Sequence, residues 1–353
     1  MKPFKINNFD LLRLFAASEV LLLHSFPRLN LSEPLFFQVM SNFPGVAMFF
    51  VMSGFLISAS FERNSDLTVY FKNRLQRIFP ALWMCLLITI IAIPLVAKIS
   101  LLNAGFLPWF LAQAVGIIYT PDFLSSFGFG SYNGSLWTIP LELQFYVVLP
   151  MLYFALNKFA RSEKQKSWLV AGTFLAFCLI SYYIKTNYTK GALEPETTVQ
   201  KLIRYSFVPN VYLFLFGVLL QRLKVYQKSF VYGKGVLWAC VYLAFSYLVE
   251  TTPETYIFKL VFLGFTTISL AYTFPKLSEF LLRGNDISYG VYIYHGLVLG
   301  VFVELGLKNN MMYVFSIFLI SYLLGSLSWI FVEKPIMKRK KKAFDTARKI
   351  MPV

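Results

Sequence analysis

The stretch "LLRLFAASEVLLLHS" at residues 11–25 has the apolar density of a helix buried in lipid, yet it carries Arg13, Glu19 and His24. An ionisable side chain at the centre of a span costs about 2.5–3.5 kcal/mol on insertion scales, so each of the three needs a partner or a task. Helical spacing sorts them. Eleven residues at about 100° each bring His24 to within about 20° of Arg13, on one face and about 16 Å further along the axis. Asp10 lies near the same face. Glu19 is about 240° round from Arg13 and must find its partner on another helix. Two readings stay open for the polar face: Asp10 and Arg13 pair at i,i+3 while His24 caps the far end, or the face is one wall of a buried site.

The rest of the chain is built in the same idiom. It has 353 residues, 57% of them hydrophobic, with 38 Phe and 21 Tyr, and only 14% charged. The apolar residues gather in runs of about 18–22, the length that crosses a hydrocarbon core of roughly 30 Å. This predicts an all-α, polytopic membrane bundle of about ten helices, near 9–26, 43–61, 79–97, 137–157, 167–185, 206–221, 235–250, 257–275, 287–305 and 311–332. Charged residues interrupt "MKPFKINNFDLLRLF" and no small-x-small site follows, so the first helix is expected to be retained rather than cleaved.

Loop charge sets the orientation. With both termini cytoplasmic, the inner segments hold 24 of the 33 Lys and Arg and the outer ones seven, Arg13 and Lys259 falling within spans. A further apolar piece, "LLNAGFLPWFLAQAVGIIYT" (101–120), is broken by Gly105 and Pro108. Counting it as a span would turn the later basic loops outward, so it is expected to be re-entrant or to lie on the outer surface. The whole chain reads as one integral-membrane domain, a helical core over about 9–335 followed by a basic cytoplasmic tail, 336–353, beside anionic lipid. The net charge of +16 is therefore topological, and nucleic acid is not an expected partner. Cys85, Cys178 and Cys240 lie apart in apolar runs and give neither a disulfide framework nor a metal-ligand spacing.

Three more clusters place polar residues where lipid is expected. "NGSLWTIPLELQFYVVLP" (133–150) puts Glu142 about one and a half turns into a span, at a depth similar to His24; the alternative is a carboxylate bonded to buried tyrosines. "DISYGVYIYHGLVL" (286–299) sets Ser288, Tyr292 and His295 at i, i+4, i+7 on one face. The chain has only two histidines, both inside predicted spans, which points to a buried reaction centre. "YFKNRLQRIFPALW" (70–83) sets Arg74 and Arg77 one turn apart; inner-loop charge alone explains them, but two arginines on one face also suit bidentate capture of phosphates.

In this order the clusters resemble the acyltransferase 3 family of integral-membrane acyltransferases. The likeness runs through "FDLLRLFAASEVLLLH", "GVAMFFVMSGFLIS" (45–58), the R-x-x-R of Arg74 and Arg77, Trp137 with Glu142 in "LWTIPLELQFY", "SYGVYIYH" (288–295) and "FVEKP" (331–335). Glu19 departs from it, an apolar residue being usual there. The resemblance implies transfer of an acyl group, usually acetyl from acetyl-CoA, to a hydroxyl of a carbohydrate or glycolipid acceptor, at the bacterial cytoplasmic membrane and without a metal. It makes Arg74 and Arg77 the expected holders of the CoA phosphates. His24 becomes the general base, or alternatively a nucleophile passing through acetyl-imidazole. Glu142 is expected to orient or offset it, with Arg13 and His295 stabilising the thioester oxygen or positioning the acceptor. Asp10, Trp137, Ser288 and Tyr292 are expected to line the passage, and Ser53 and Gly54 to let helices approach closely. A transporter or flippase of lipid-linked sugars would also place polar groups at mid-membrane, but would favour internal repeats, and no second R-x10-H unit is visible.

Overall fold

The computed structural model describes residues 8–188 and 198–338. Most of the basic tail, and Lys2 and Lys5 at the other end, lie outside the described residues. Within them the regular structure is helical. In chain order the helices are α1 (Phe9–Arg28), α2 (Leu35–Met40), α3 (Gly45–Arg63), α4 (Leu67–Ala97), α5 (Phe106–Ala114), α6 (Thr138–Phe159), α7 (Glu163–Tyr188), α8 (Thr198–Tyr205), α9 (Val211–Arg222), α10 (Gly235–Leu248), α11 (Pro253–Ala271), α12 (Leu277–Leu282), α13 (Ser288–Glu304) and α14 (Met311–Ser328). A 3-10 turn at Gly134–Trp137 leads into α6, and a π-helical turn at Trp329–Glu333 continues α14.

Among the described residues, six stretches are long and apolar enough to cross a membrane: Leu35–Arg63, Leu67–Ala97, Gly134–Phe159, Glu163–Tyr188, Pro253–Ala271 and Met311–Lys338. Their outer faces are what lipid requires. Leu87, Ile91 and Leu95 form an exposed apolar row at i,i+4 on α4, and Phe315, Leu319, Leu323 and Leu327 form another on α14. The 101–120 region contains no spanning helix. Its one helix, α5, has nine residues and buries only Trp109 and Gln113.

The chain forms two compact units, each assembled from separate sequence segments. The first comprises Met1–Val20, Pro34–Leu67 and Thr138–Gly284; the second comprises Leu21–Glu33, Thr68–Trp137 and Asn285–Val353. In the first, α9 is buried nearly all round and packs on α3, α7 and α11. Glycine makes the α3–α9 contact close. A β-carbon on Gly54 would lie 2.0 Å from the Phe214 carbonyl oxygen, and one on Gly217 would lie 2.1 Å from that of Val51.

Glu19 belongs to this unit and finds the partner that its helix face demanded. It is 1% exposed, and its Oε2 accepts a hydrogen bond of 2.8 Å from the Gly45 N–H at the start of α3. Pro44 precedes Gly45 and has no N–H to offer, so the carboxylate satisfies one of the unpaired donors that every helix start leaves.

In the second unit α13 packs against α14 at another glycine pair. A β-carbon on Gly290 would lie 2.6 Å from the Gly325 Cα. The 3-10 turn at Gly134–Trp137 sits on α13 beside its central residues.

Candidate active site

The second unit gathers both histidines of the chain. His295 lies mid-way along α13 and is 0% exposed, while His24, near the C-terminal end of α1, is half-buried. His24 Nδ1 and His295 Nε2 are 3.1 Å apart, with ring centroids at 5.3 Å. One nitrogen must donate and the other accept, so a single proton fixes the relation of the two rings. With His24 as donor, its Nε2 keeps a lone pair.

The surroundings hold His295 in place. Tyr292 meets it edge-on at 5.7 Å. Asn133 donates from Nδ2 to the Ile293 carbonyl at 2.8 Å and accepts from the Ser135 hydroxyl at 2.6 Å. This turn lies so close to α13 that a β-carbon on Gly296 would fall 2.2 Å from Asn133 Oδ1. Glycine beside the histidine is therefore a packing requirement, and Trp137, half-buried, closes the same turn.

A second cluster of this unit surrounds Arg77 on α4. Its guanidinium donates to Asp286 Oδ2 at 2.5 Å and approaches Glu333 Oε2 at 3.7 Å. Asp286 also accepts from the Ser288 hydroxyl at 2.5 Å and from the Ser288 N–H at 3.3 Å, beside the start of α13. The π-helical turn supplies Glu333, and Trp329 and Lys334 both donate to Asn285 Oδ1, at 2.9 and 2.8 Å. Extra residues in a helical turn re-aim side chains, and here the turn directs a carboxylate at Arg77. Arg74, one turn before, lies over the Tyr70 ring at 5.7 Å.

The sequence identified both arginines but missed the carboxylates that hold Arg77. Asp286 precedes Ser288 by two residues and Glu333 ends an apolar run in "FVEKP". A lone acidic residue at the end of a span was the available signal.

The remaining candidates belong to the first unit. Arg13 pairs with Asp10 at 3.5 Å, the i,i+3 contact that spacing allowed. Glu142 accepts from the Tyr146 hydroxyl at 2.5 Å, one turn along α6. Ser53 is half-buried on α3, next to Gly54 at the α9 contact. Since α1 runs unbroken from Phe9 to Arg28, Arg13 and His24 are carried by one helix.

A family model described as an acyltransferase domain matches residues 6–331, a range that takes in both units. The chain belongs to the acyltransferase 3 family. Among curated proteins it is 31% identical to nodulation protein 10 of Rhizobium leguminosarum bv. viciae, over 94% of this chain and 93% of that one. It is 25% identical to the O-acetyl transferase of Shigella phage Sf6, over 95% and 97%. It is 24% identical to the O-acetyltransferase OatA of Staphylococcus aureus, over 97% of this chain but 59% of that longer protein. No solved structure matches. The chain is thus an acyltransferase with helices built for a membrane.

Proposed function

We propose that this acyltransferase moves an acetyl group from cytoplasmic acetyl-CoA to a hydroxyl of a surface carbohydrate or lipid-linked glycan, on the outer side of a bacterial cytoplasmic membrane. The observation that carries this reading is the His24–His295 pair, a half-accessible imidazole backed by a fully buried one. A general base needs an accessible lone pair on a ring held in one tautomer, and a half-buried His24 whose Nδ1 donates to His295 supports that role.

In this reading ten helices span the bilayer: α1, α3, α4, α6, α7, α9, α10, α11, α13 and α14. Both termini are cytoplasmic, in keeping with the loop charges. Although α9 is only 12 residues long, α3, α7 and α11 surround it, so its ends need not meet lipid.

The donor's nucleotide phosphates bind at Arg74 and Arg77, the latter held in orientation by Asp286 and Glu333. The uncharged pantetheine arm then extends into the bundle towards His24. The acceptor hydroxyl oxygen attacks the thioester carbonyl carbon while His24 Nε2 takes the hydroxyl proton. As the tetrahedral intermediate collapses, the carbon–sulfur bond breaks and the departing CoA sulfur receives that proton. Glu142 and Arg13 enter through chemistry alone, as the carboxylate and the cation that an imidazolium and a thioester oxygen would each use.

Deleting the gene and analysing cell-surface glycan by mass spectrometry tests this. Acetyl esters should disappear from one component and return on complementation. An unchanged glycan profile would reject the acceptor class.

A further inference from the structure

Arg28 closes α1 one turn beyond His24 and has no role in the reaction as described. Its guanidinium is half-buried, donates to the His24 carbonyl oxygen at 3.2 Å and lies 4.3 Å from the centroid of the Phe129 ring. Three other arginines face carboxylates: Arg13 meets Asp10, Arg77 meets Asp286 and Glu333, and Arg222 meets Glu62 and Glu163. Among the described residues none pairs with Arg28. A cation withdrawn from water without a counter-charge is costly, so a group kept this way is a place for a ligand anion.

The loop that carries this ring is anchored. Phe127 is fully buried against Gly300, and Gly128, at φ +61°, comes within contact of the same residue. The Gly128 N–H also donates to Glu304 Oε2 at 2.8 Å, which ties the loop to the end of α13. Phe129 thereby sits on an anchored loop, and the guanidinium over its ring spends one N–H on the His24 carbonyl and leaves most of its fork for a ligand.

We propose that Arg28 and Phe129 form an anion-recognition subsite for the acceptor. The sugar that is acetylated then carries a carboxylate or a phosphate beside the reacting hydroxyl. This rests on His24 being the base. Four residues of helix separate the two side chains by about 6 Å along the axis, the scale of one sugar ring. A hydroxyl at His24 and an anion at Arg28 fit on a single residue of glycan. Carboxylate and phosphate both match the guanidinium fork, and the two sources are separable by probe.

The test is a binding titration of the purified full-length chain, saturated with CoA so that Arg74 and Arg77 are occupied. The probes are glucuronate, glucose 1-phosphate and glucose. At least one charged sugar should bind ten-fold or more tighter than glucose, glucuronate indicating a carboxylate and glucose 1-phosphate a phosphate. Arg28→Gln should abolish that preference while CoA binding persists. Arg28→Lys, which keeps the charge but loses the fork, should retain a weaker preference and covers the case in which the glutamine variant does not fold. Equal binding of all three sugars by the wild type, or an undiminished preference in Arg28→Gln, overturns the proposal. His24→Ala should keep the preference. If that variant still transfers acetyl groups, the assignment of the base fails while the anion subsite stands.

Discussion

At the scale of single residues, the proposed chemistry rests on the contact between two imidazoles. A single proton lies between the two rings across 3.1 Å, and with His24 as its donor the outer nitrogen of His24 keeps a lone pair that can take a proton without setting two N–H groups against each other. Removing His295 takes away the ring that fixes the His24 tautomer. His295→Ala should lower the rate of acetyl transfer by about 10- to 100-fold, within the lower part of what acid–base catalysis contributes, with acetyl-CoA binding unchanged. Steady-state kinetics on membrane vesicles checks this, and an unaltered kcat would contradict it. The two arginines of α4 should separate in the opposite sense. Arg77→Ala leaves Asp286 and Glu333 without their cation and should cost about 3–5 kcal/mol of stability, read as a lower thermal midpoint in detergent. Arg74→Ala should fold normally and weaken acetyl-CoA binding roughly ten-fold, as loss of a charge-assisted phosphate contact would.

At the scale of elements, backbone contact replaces side-chain interdigitation. Gly54 and Gly217 bring α3 and α9 so near that neither position has room for a methyl group. Gly54→Ala should destabilise the protein by about 1–3 kcal/mol through overpacking, whereas Gly172→Ala on α7, with nothing within 4 Å, should not. Thermal unfolding of the two variants side by side is the check.

Several helix boundaries show what sequence periodicity can and cannot see. The span expected at 79–97 is the upper part of a helix that starts at Leu67. Lys72, Arg74 and Arg77 fall outside the expected span because hydropathy detects lipid, while lysine and arginine remain good helix formers outside it. The span expected from 206 begins at Val211, after Pro209 and Asn210. The π-helical turn after Ser328 left no trace in the pattern, since it depends on one irregular hydrogen-bonded turn.

At the scale of the whole molecule, the ordered motifs carried the family, and the family match over residues 6–331 agrees. The site was legible where lipid made polarity expensive: His24 and His295 stood out as ionisable residues in apolar runs. Their pairing was not legible, because 271 residues separate them and no spacing rule spans that distance. The interleaving of two units was equally hidden, since it depends on which segments pack rather than on what each segment is. Glu19 lies between these cases: helix geometry required a partner on another helix, and only the fold shows it to be the first N–H of α3.

The central claim is that His24 is the base of an acetyl transfer. The most direct measurement is the acetyl-ester content of surface glycan in a deletion strain complemented with His24→Ala at wild-type expression. The account predicts a loss of about 10²-fold or more, the contribution of a general base, with acetyl-CoA still bound by the purified variant. Acetylation at the wild-type level would contradict it.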